Sequence, residues 1–224
     1  MIVTVHQPNY LPYFGFFHKM ANADVLVLYD TAQFSKNIFH NRNRIKTPRG
    51  VAWITVPVRR PLLRPIGEIE IASTVWADKH RRTLEANYRR ALYFSSYIDE
   101  ISSEWSRPTA LLAELNARLV SRVAGWLGIE TEVVTASTLP RPATDDQTEK
   151  ILHLVEACGG DTYLSGAGGK TYLDESKFTR IGLRYDRFVA TPYPQQFGPF
   201  IANLSVVDAI FNCGESVASW LGRK

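Results

Sequence analysis

The sequence predicts a three-layer α/β fold, with a mostly parallel sheet between helices. Two short apolar runs, at residues 2–5 and 25–28, flank a helix-like segment at 13–22 that begins after Pro12. A strand, a helix and a strand in this order form the βαβ unit of a parallel sheet. Further along, leucine and valine recur at helical spacing through residues 109–127, and Gly128 ends that helix. Helices and strands therefore alternate along the chain.

The remaining elements follow from hydrophobic spacing and from turn residues. Strands are expected at 51–58, 66–72, 131–135, 162–164 and 188–190, and helices at 76–91, 97–105, 147–157 and 204–211. A proline-rich turn at 61–65 joins the first two of these strands. We expect a single domain over 1–224, with a core of 1–50 and 106–224 and an inserted or flanking mixed α/β lobe at about 51–105.

The composition of the chain argues against a membrane protein and against a disulfide-rich secreted protein. The chain has 224 residues, is 45% hydrophobic and begins on an apolar strand without a basic leader segment. No apolar run reaches the length of a membrane span. Two distant cysteines form no disulfide framework, and they are expected to be core residues. We therefore expect a cytoplasmic protein that does not act at a membrane.

Basic residues are concentrated between residues 42 and 90, although the net charge is only +4. Most of them are explained by a solvated basic face. A pocket for a phosphate-bearing small molecule is the sharper alternative, because arginine matches phosphate oxygens. Nucleic acid ranks third, since the overall charge is small.

Polar residues follow the first two predicted strands. His6 and Gln7 come after the first strand, and Asp30 comes after the second. Ligands of parallel sheets bind beyond the carboxyl ends of the strands. His6 is predicted to be a general base, or else a residue that holds the turn, and Asp30 would orient His6 or cap the next segment. Lys19 could reach the same edge from the first helix, or it could be solvated.

Several long motifs resemble the WbqC-like protein family. They are HQPNYLPYFGFFHKM at 6–20, QF at 33–34, NRNRIK at 41–46, YLSGAGGKTYL at 163–173 and PYPQQFGPFIANLSVVDAIFNCG at 192–214. The resemblance implies a role in surface-polysaccharide or natural-product biosynthesis. It also implies that Tyr10 and Gln33 bind substrate and that Lys19 belongs to the catalytic set.

The polar run at 41–46 is expected to bind substrate. If the run is extended, its basic side chains share one face and its asparagines share the other. The basic face could hold an anion, whereas an asparagine-rich turn would explain only one of the two asparagines. The substrate-binding residues predicted here are Asn41, Arg42, Asn43 and Lys46.

A glycine-rich loop follows the strand at 162–164. Its glycines and lysine could hold a phosphate or a carboxylate, and Ser165, Gly166 and Lys170 are the predicted contacts. The loop is not a P-loop, because Leu164 stands where the first glycine is required. A plain flexible turn is the alternative.

The first strand–helix turn resembles that of the HIGH-type nucleotidylyl transferases, which carry HxGH there. The corresponding residues are 13–16, where Gly15 fits but both histidines are missing. The comparison implies a Rossmann-like, HIGH-type nucleotide-binding sheet and argues against adenylyl transfer by that mechanism. No histidine or cysteine pair has metal-ligand spacing, so no metal site is predicted, and no cofactor is identified.

These observations favour a transferase. The resemblance to the WbqC-like family implies that an acyl or aminoacyl group passes to an amine or hydroxyl of a phosphate-bearing metabolite, such as a nucleotide sugar or a carrier-linked intermediate. Two alternatives remain: a nucleotide-dependent ligase or nucleotidyltransferase, and a non-catalytic nucleotide- or carrier-binding protein. Consumption of ATP would distinguish the ligase from the transferase.

Overall fold

The structure is a computed structural model that describes residues 1–59 and 63–222. Its strands are β1 (Ile2–His6), β2 (Val25–Leu28), β3 (Arg42–Thr47), β4 (Gly50–Thr55), β5 (Glu132–Thr135), β6 (Thr162–Ser165) and β7 (Gly182–Tyr185). Its α-helices are α1 (Phe14–Ala21), α2 (Trp76–Tyr88), α3 (Phe94–Ser106), α4 (Leu112–Trp126), α5 (Gln147–Ala157) and α6 (Val206–Cys213). Short 3₁₀ helices lie between several of these elements, and another, Gly214–Leu221, follows α6.

Five strands form one parallel sheet in the order β5-β2-β1-β6-β7. The chain moves outward from β1 through β2 to β5, and then crosses back to β6 on the other side of β1. The strand order therefore reverses between β1 and β6. A crevice forms at such a reversal, and it is the usual ligand position in open α/β sheets.

Both faces of the sheet are covered, as alternating side chains in buried strands require. One face carries Val3, Val5, Val25 and Val27, which pack in a cluster with apolar residues of α5. Leu26 and Leu28 alternate with these and join a larger cluster that contains residues of α1, α4 and α6. The predicted mixed α/β class with a parallel sheet is confirmed.

The middle region forms an antiparallel hairpin, β3–β4, followed by α2 and α3. Apolar residues of this region belong to the same cluster as α1 and α6. The proline-rich turn predicted at 61–65 lies partly outside the described residues.

Two of the predicted strands are wrong. Residues 66–72 begin with a 3₁₀ helix, Ile66–Glu68, because the amides of Ile66 and Gly67 donate to the carbonyls of Ala32 and Asp30 instead of to a neighbouring strand. The last strand of the sheet is Gly182–Tyr185 and not 188–190. Phe188 has already left the sheet, and its ring packs against Phe14.

Within residues 1–59 and 63–222, no helix is both long enough and apolar enough to cross a lipid bilayer.

Candidate active site

A cavity of about 80 Å³ lies at the strand reversal between β1 and β6. His6 enters it from the end of β1, and Lys19 enters from the last turn of α1. Gly166 follows β6 and Asp186 follows β7, so these residues close the other side. Four separate elements thus bring a histidine, a lysine and a carboxylate to one edge of the sheet.

The His6 ring is held in one orientation. Its Nδ1 lies 2.9 Å from the Gln7 carbonyl oxygen, and its ring packs against Phe16. A carbonyl can only accept, so Nδ1 carries the proton and Nε2 presents a lone pair. Nε2 has no hydrogen-bond partner in the described part of the chain. Burial, together with the positive charge of Lys19, lowers the pKa of His6 to about 3, so the ring is neutral near pH 7.

Lys19 is almost completely buried, with 5% of its surface exposed. Its Nζ donates to the Val5 carbonyl oxygen at 3.1 Å. Burial lowers the pKa of Lys19 to about 8, and the negative charge of Asp186 opposes this shift. An ammonium has three donors, and within the described residues only one of the three has an acceptor. The other two are therefore available to a ligand in the cavity.

Among the described residues, Lys46 is the other deeply buried lysine, and its surroundings are different. Its Nζ donates to Gln195 Oε1 and to the carbonyls of Gly198 and Pro199. All three donors are satisfied within the protein, so this ammonium fastens β3 to the 195–199 segment. Lys46 was predicted to bind substrate, but it does not line this cavity.

Asp186, which lines this cavity, also pairs with His18. His18 Nδ1 lies 2.9 Å from Asp186 Oδ1, and the Asp186 amide donates to the Ser165 carbonyl. Asp186 was missed by the sequence analysis because the last strand was placed at 188–190. The alternation of Ile181, Leu183 and Tyr185 is the signal that could have found this strand, and Asp186 would then have been recognised at its end.

Asp30 was predicted to orient His6 or to cap the next segment, and the structure does not place it against His6. Asp30 Oδ1 accepts the Ser137 amide proton at 2.9 Å, and Asp30 lines a different, larger cavity on the other side of β2. No hydrogen bond joins it to His6 within the described ranges. The Gln7 carbonyl takes the orienting role instead.

Three further predicted site residues lie outside the small cavity. Gln7 Oε1 is 2.9 Å from His40 Nε2, and the buried Tyr10 hydroxyl is 2.9 Å from His80 Nδ1. Gln33 is exposed, and its backbone forms an isolated antiparallel β-bridge with Pro65. The side chains of Gln7 and Tyr10 hold the loop after β1 in place.

The asparagines of the 41–46 run bind backbone. Asn41 Nδ2 donates to the Val56 carbonyl, and Asn43 Nδ2 donates to the carbonyls of Tyr10 and Leu11. Leu11 has a φ of 41°, so Asn43 stabilises a strained turn. The Arg42 guanidinium stacks on Trp53, 4.1 Å from the ring centre. The structure does not bring Asn41, Arg42 or Asn43 to the cavity.

The glycine-rich loop contributes backbone more than side chains. Ser165 is buried and its Oγ donates to the Gly166 carbonyl, whereas Lys170 is exposed and its Nζ lies over the Tyr185 ring. Of the three predicted contacts, Gly166 lines the cavity. No cluster of three or more histidine, cysteine, aspartate or glutamate side chains that could hold a metal ion is found in residues 1–59 and 63–222.

Comparison with known proteins identifies the family. The WbqC-like protein family profile matches residues 7–219. An uncharacterized protein, Rv1507c, of Mycobacterium tuberculosis (strain ATCC 25618 / H37Rv) is 34% identical over 232 residues, which cover 98% of this chain and 96% of that protein. No solved structure matches. The chain, with its His6–Lys19 cavity, belongs to the WbqC-like protein family.

Proposed function

We propose that this protein is a group-transfer enzyme of surface-polysaccharide or natural-product biosynthesis. It moves an acyl or aminoacyl group to an amine or hydroxyl of a phosphate-bearing metabolite. One observation carries the proposal: among the described residues, the buried Lys19 ammonium has one acceptor, and the neighbouring Nε2 of His6 has no hydrogen-bond partner.

The ammonium argues for an anionic ligand. Removing a charge from water is unfavourable unless partners replace the lost hydration. Lys46 has three such partners, whereas the described residues give Lys19 only the Val5 carbonyl. A phosphate or carboxylate in the cavity would supply the missing acceptors, and the cavity has room for such a group.

His6 supplies the base. Burial is the main cause of the low pKa of His6, and the charge of Lys19 lowers it further. A bound anion would offset the charge of Lys19, which raises the pKa of His6 and makes Nε2 more basic. Nε2 then takes the proton from the attacking hydroxyl or amine as that group bonds to the acyl carbon. The same proton passes to the leaving group as its bond to the acyl carbon breaks.

The position of the site supports a nucleotide-like metabolite. The cavity lies at the strand reversal, as nucleotide sites do in Rossmann-like sheets, and we include a HIGH-type relationship of the sheet in this proposal. Tyr13 and Phe16 stand where that class carries its two histidines, which argues against adenylyl transfer by the HIGH mechanism. We propose neither nucleic acid nor membrane as a partner.

The test compares Lys19→Met with Lys46→Met. A thermal-shift screen of nucleotides, nucleotide sugars, acyl phosphates and coenzyme A thioesters first identifies a ligand of the wild-type protein. We expect Lys19→Met to weaken its binding by about tenfold or more, because a charged hydrogen bond is lost. Lys46→Met should unfold at a lower temperature and still show the ligand-induced shift.

A second variant separates binding from chemistry. His6→Gln should bind the ligand and lower turnover of the acyl donor by about 10²–10⁴-fold, the usual contribution of a positioned base. Wild-type affinity and turnover in Lys19→Met would refute the proposal. Tight, salt-sensitive binding of generic DNA or RNA would equally refute it.

A further inference from the structure

A second and larger cavity, of about 700 Å³, lies at the carboxyl ends of β2 and β5. The 3₁₀ helix Ile66–Glu68 and the start of α5 close its sides. None of its lining residues lines the Lys19 cavity. Its volume is in the range of pockets that hold metabolite-sized ligands.

Asp30 lies in the wall of this cavity with one carboxylate oxygen unused. The side chain is 95% buried, and its Oδ1 accepts from the Ser137 amide at 2.9 Å. Oδ2 has no hydrogen-bond partner in the described ranges. A carboxylate oxygen can only accept a hydrogen bond, and Oδ2 is open to the cavity. A ligand that donates a hydrogen bond to Oδ2 would complete its surroundings.

Gly67 packs directly against this oxygen. A Cβ atom at Gly67 would come within 2.8 Å of Asp30 Oδ2, so any side chain there would obstruct the carboxylate. The Gly67 amide also donates to the Asp30 carbonyl, which fixes the two residues relative to each other. The open space beside Oδ2 therefore depends on glycine at this position.

The rest of the lining indicates the class of ligand. The residues around Asp30 include Tyr29 and Thr31, and Lys150 pairs with Asp145 at 3.5 Å. The Arg141 guanidinium has no carboxylate partner in the described part of the chain. The lining thus offers an acceptor for hydroxyl groups at one point and a cation for an anion at another.

We propose that this cavity binds a phosphorylated sugar, with a sugar hydroxyl donating to Asp30 Oδ2 and the phosphate facing Arg141. In Rossmann-type sheets an acidic residue about 20 positions after the first strand–helix turn accepts a ribose hydroxyl, which is the kind of contact proposed for Asp30. The site goes beyond the proposed transfer reaction, since it uses neither His6 nor Lys19.

Calorimetric titration of the full chain tests the site. The probes are ribose 5-phosphate, glucose 1-phosphate and uridine monophosphate, which distinguish a free sugar phosphate from a nucleotide. We expect Asp30→Asn and Gly67→Ala each to weaken the best probe by about tenfold or more. Gly125→Ala is the matched control, because nothing lies within 4 Å of its new methyl group, and its affinity should be that of the wild type.

Two further arms make the result unambiguous. Arg141→Gln should weaken binding of the best phosphorylated probe. It should leave unchanged the weaker binding of the same compound without its phosphate (ribose, glucose or uridine). Lys19→Met should bind the probe as the wild type does, whether or not the transfer reaction is correct. Loss of binding in Lys19→Met would place the probe in the other cavity and overturn the inference.

A crystal structure of the wild-type protein with the best probe keeps the test decisive if a variant fails to fold. The expected result is a sugar hydroxyl within hydrogen-bonding distance of Asp30 Oδ2. A probe located elsewhere, or no binding by any of the three probes, would overturn the inference.

Discussion

Lys19 and Lys46 show how two equally buried ammonium groups can have opposite roles. The Lys46 ammonium donates hydrogen bonds to three acceptors of the 195–199 segment, so all three of its donors have partners in the folded chain. The Lys19 ammonium donates to the Val5 carbonyl oxygen and faces a cavity. Lys46 therefore stabilises the fold, whereas burial of Lys19 with one acceptor among the described residues makes the fold less stable.

The depressed pKa of Lys19 predicts a pH dependence of stability. Its folded pKa is about 8 and its ordinary value is 10.5, so the unfolded chain binds more protons between these values. The free energy of unfolding should therefore rise with pH across this window, by up to roughly 3 kcal/mol from this group. Urea denaturation at pH 7, 8.5 and 10 measures it.

Lys19→Met is the control for that measurement. It lacks the titrating group, so it should be more stable than the wild type at pH 7, and the difference should shrink by pH 10. An equal rise with pH in both proteins would show that Lys19 is not responsible.

At the scale of elements, Glu104 joins α3 to α4. This carboxylate is 3% exposed and pairs with Arg107, Arg118 and Arg122. Burial disfavours its charge, but hydrogen bonds and the positive charge of Arg122 and Arg107 prevail and lower the pKa of Glu104 below its ordinary value. Its stabilisation is therefore present above the ordinary glutamate pKa and is lost as the pH falls through the lower, folded value.

Glu104→Gln should lower the free energy of unfolding at pH 7 by about 2 kcal/mol, because buried arginine contacts lose their counter-charge. Asp99→Asn breaks the exposed Arg81–Asp99 pair and should change the free energy of unfolding by less than about 0.5 kcal/mol. Chemical denaturation of both variants measures the difference. Equal effects would mean that burial of Glu104 contributes nothing.

The elements with a clear hydrophobic period were predictable from sequence. Gln147–Ala157 matches its predicted bounds, and the helices at Trp76–Tyr88 and Leu112–Trp126 differ only at their ends. The segment at 66–72 alternates like a strand, but distant carbonyls take its amide hydrogens. Alternation shows which side chains face inward, and it does not show which partner the backbone finds.

The candidate site was predictable only where its residues lie close together in the sequence. His6 and Lys19 were found because the first βαβ unit is contiguous in sequence. Asp30 ends a neighbouring strand, yet its side chain lies in a separate cavity, which periodicity cannot reveal. The asparagines of the 41–46 run are bound to the turn at 10–11, a tertiary contact with no local signal.

At the scale of the whole molecule, two apolar clusters share one sheet. The larger contains residues of α1, α3, α4 and α6, and the smaller contains residues of α5. Because alternating residues of β2 enter both clusters, neither can lose its packing without disturbing the other. We expect the chain to unfold in one transition, as a single domain would.

Tryptophan fluorescence tests this cooperativity, since the smaller cluster contains no tryptophan. Val155→Ala opens that cluster and should lower the urea midpoint seen by fluorescence and by far-UV circular dichroism equally. Leu119→Ala in the larger cluster is the matched variant. A fluorescence midpoint that Val155→Ala leaves unchanged would show two independently unfolding units.

The pairing of β1 with β6 has a consequence for how the protein is made. Thr4 donates to the carbonyl of Leu164 across 160 positions of the chain. On the ribosome, His6 and Lys19 emerge long before Gly166 and Asp186, so the nascent chain carries the imidazole and the ammonium without the other walls of the cavity. Until β6 is synthesised, one edge of β1 stays unpaired and is open to association with other strands. Interrupted translation would therefore yield an aggregation-prone fragment with an incomplete cavity.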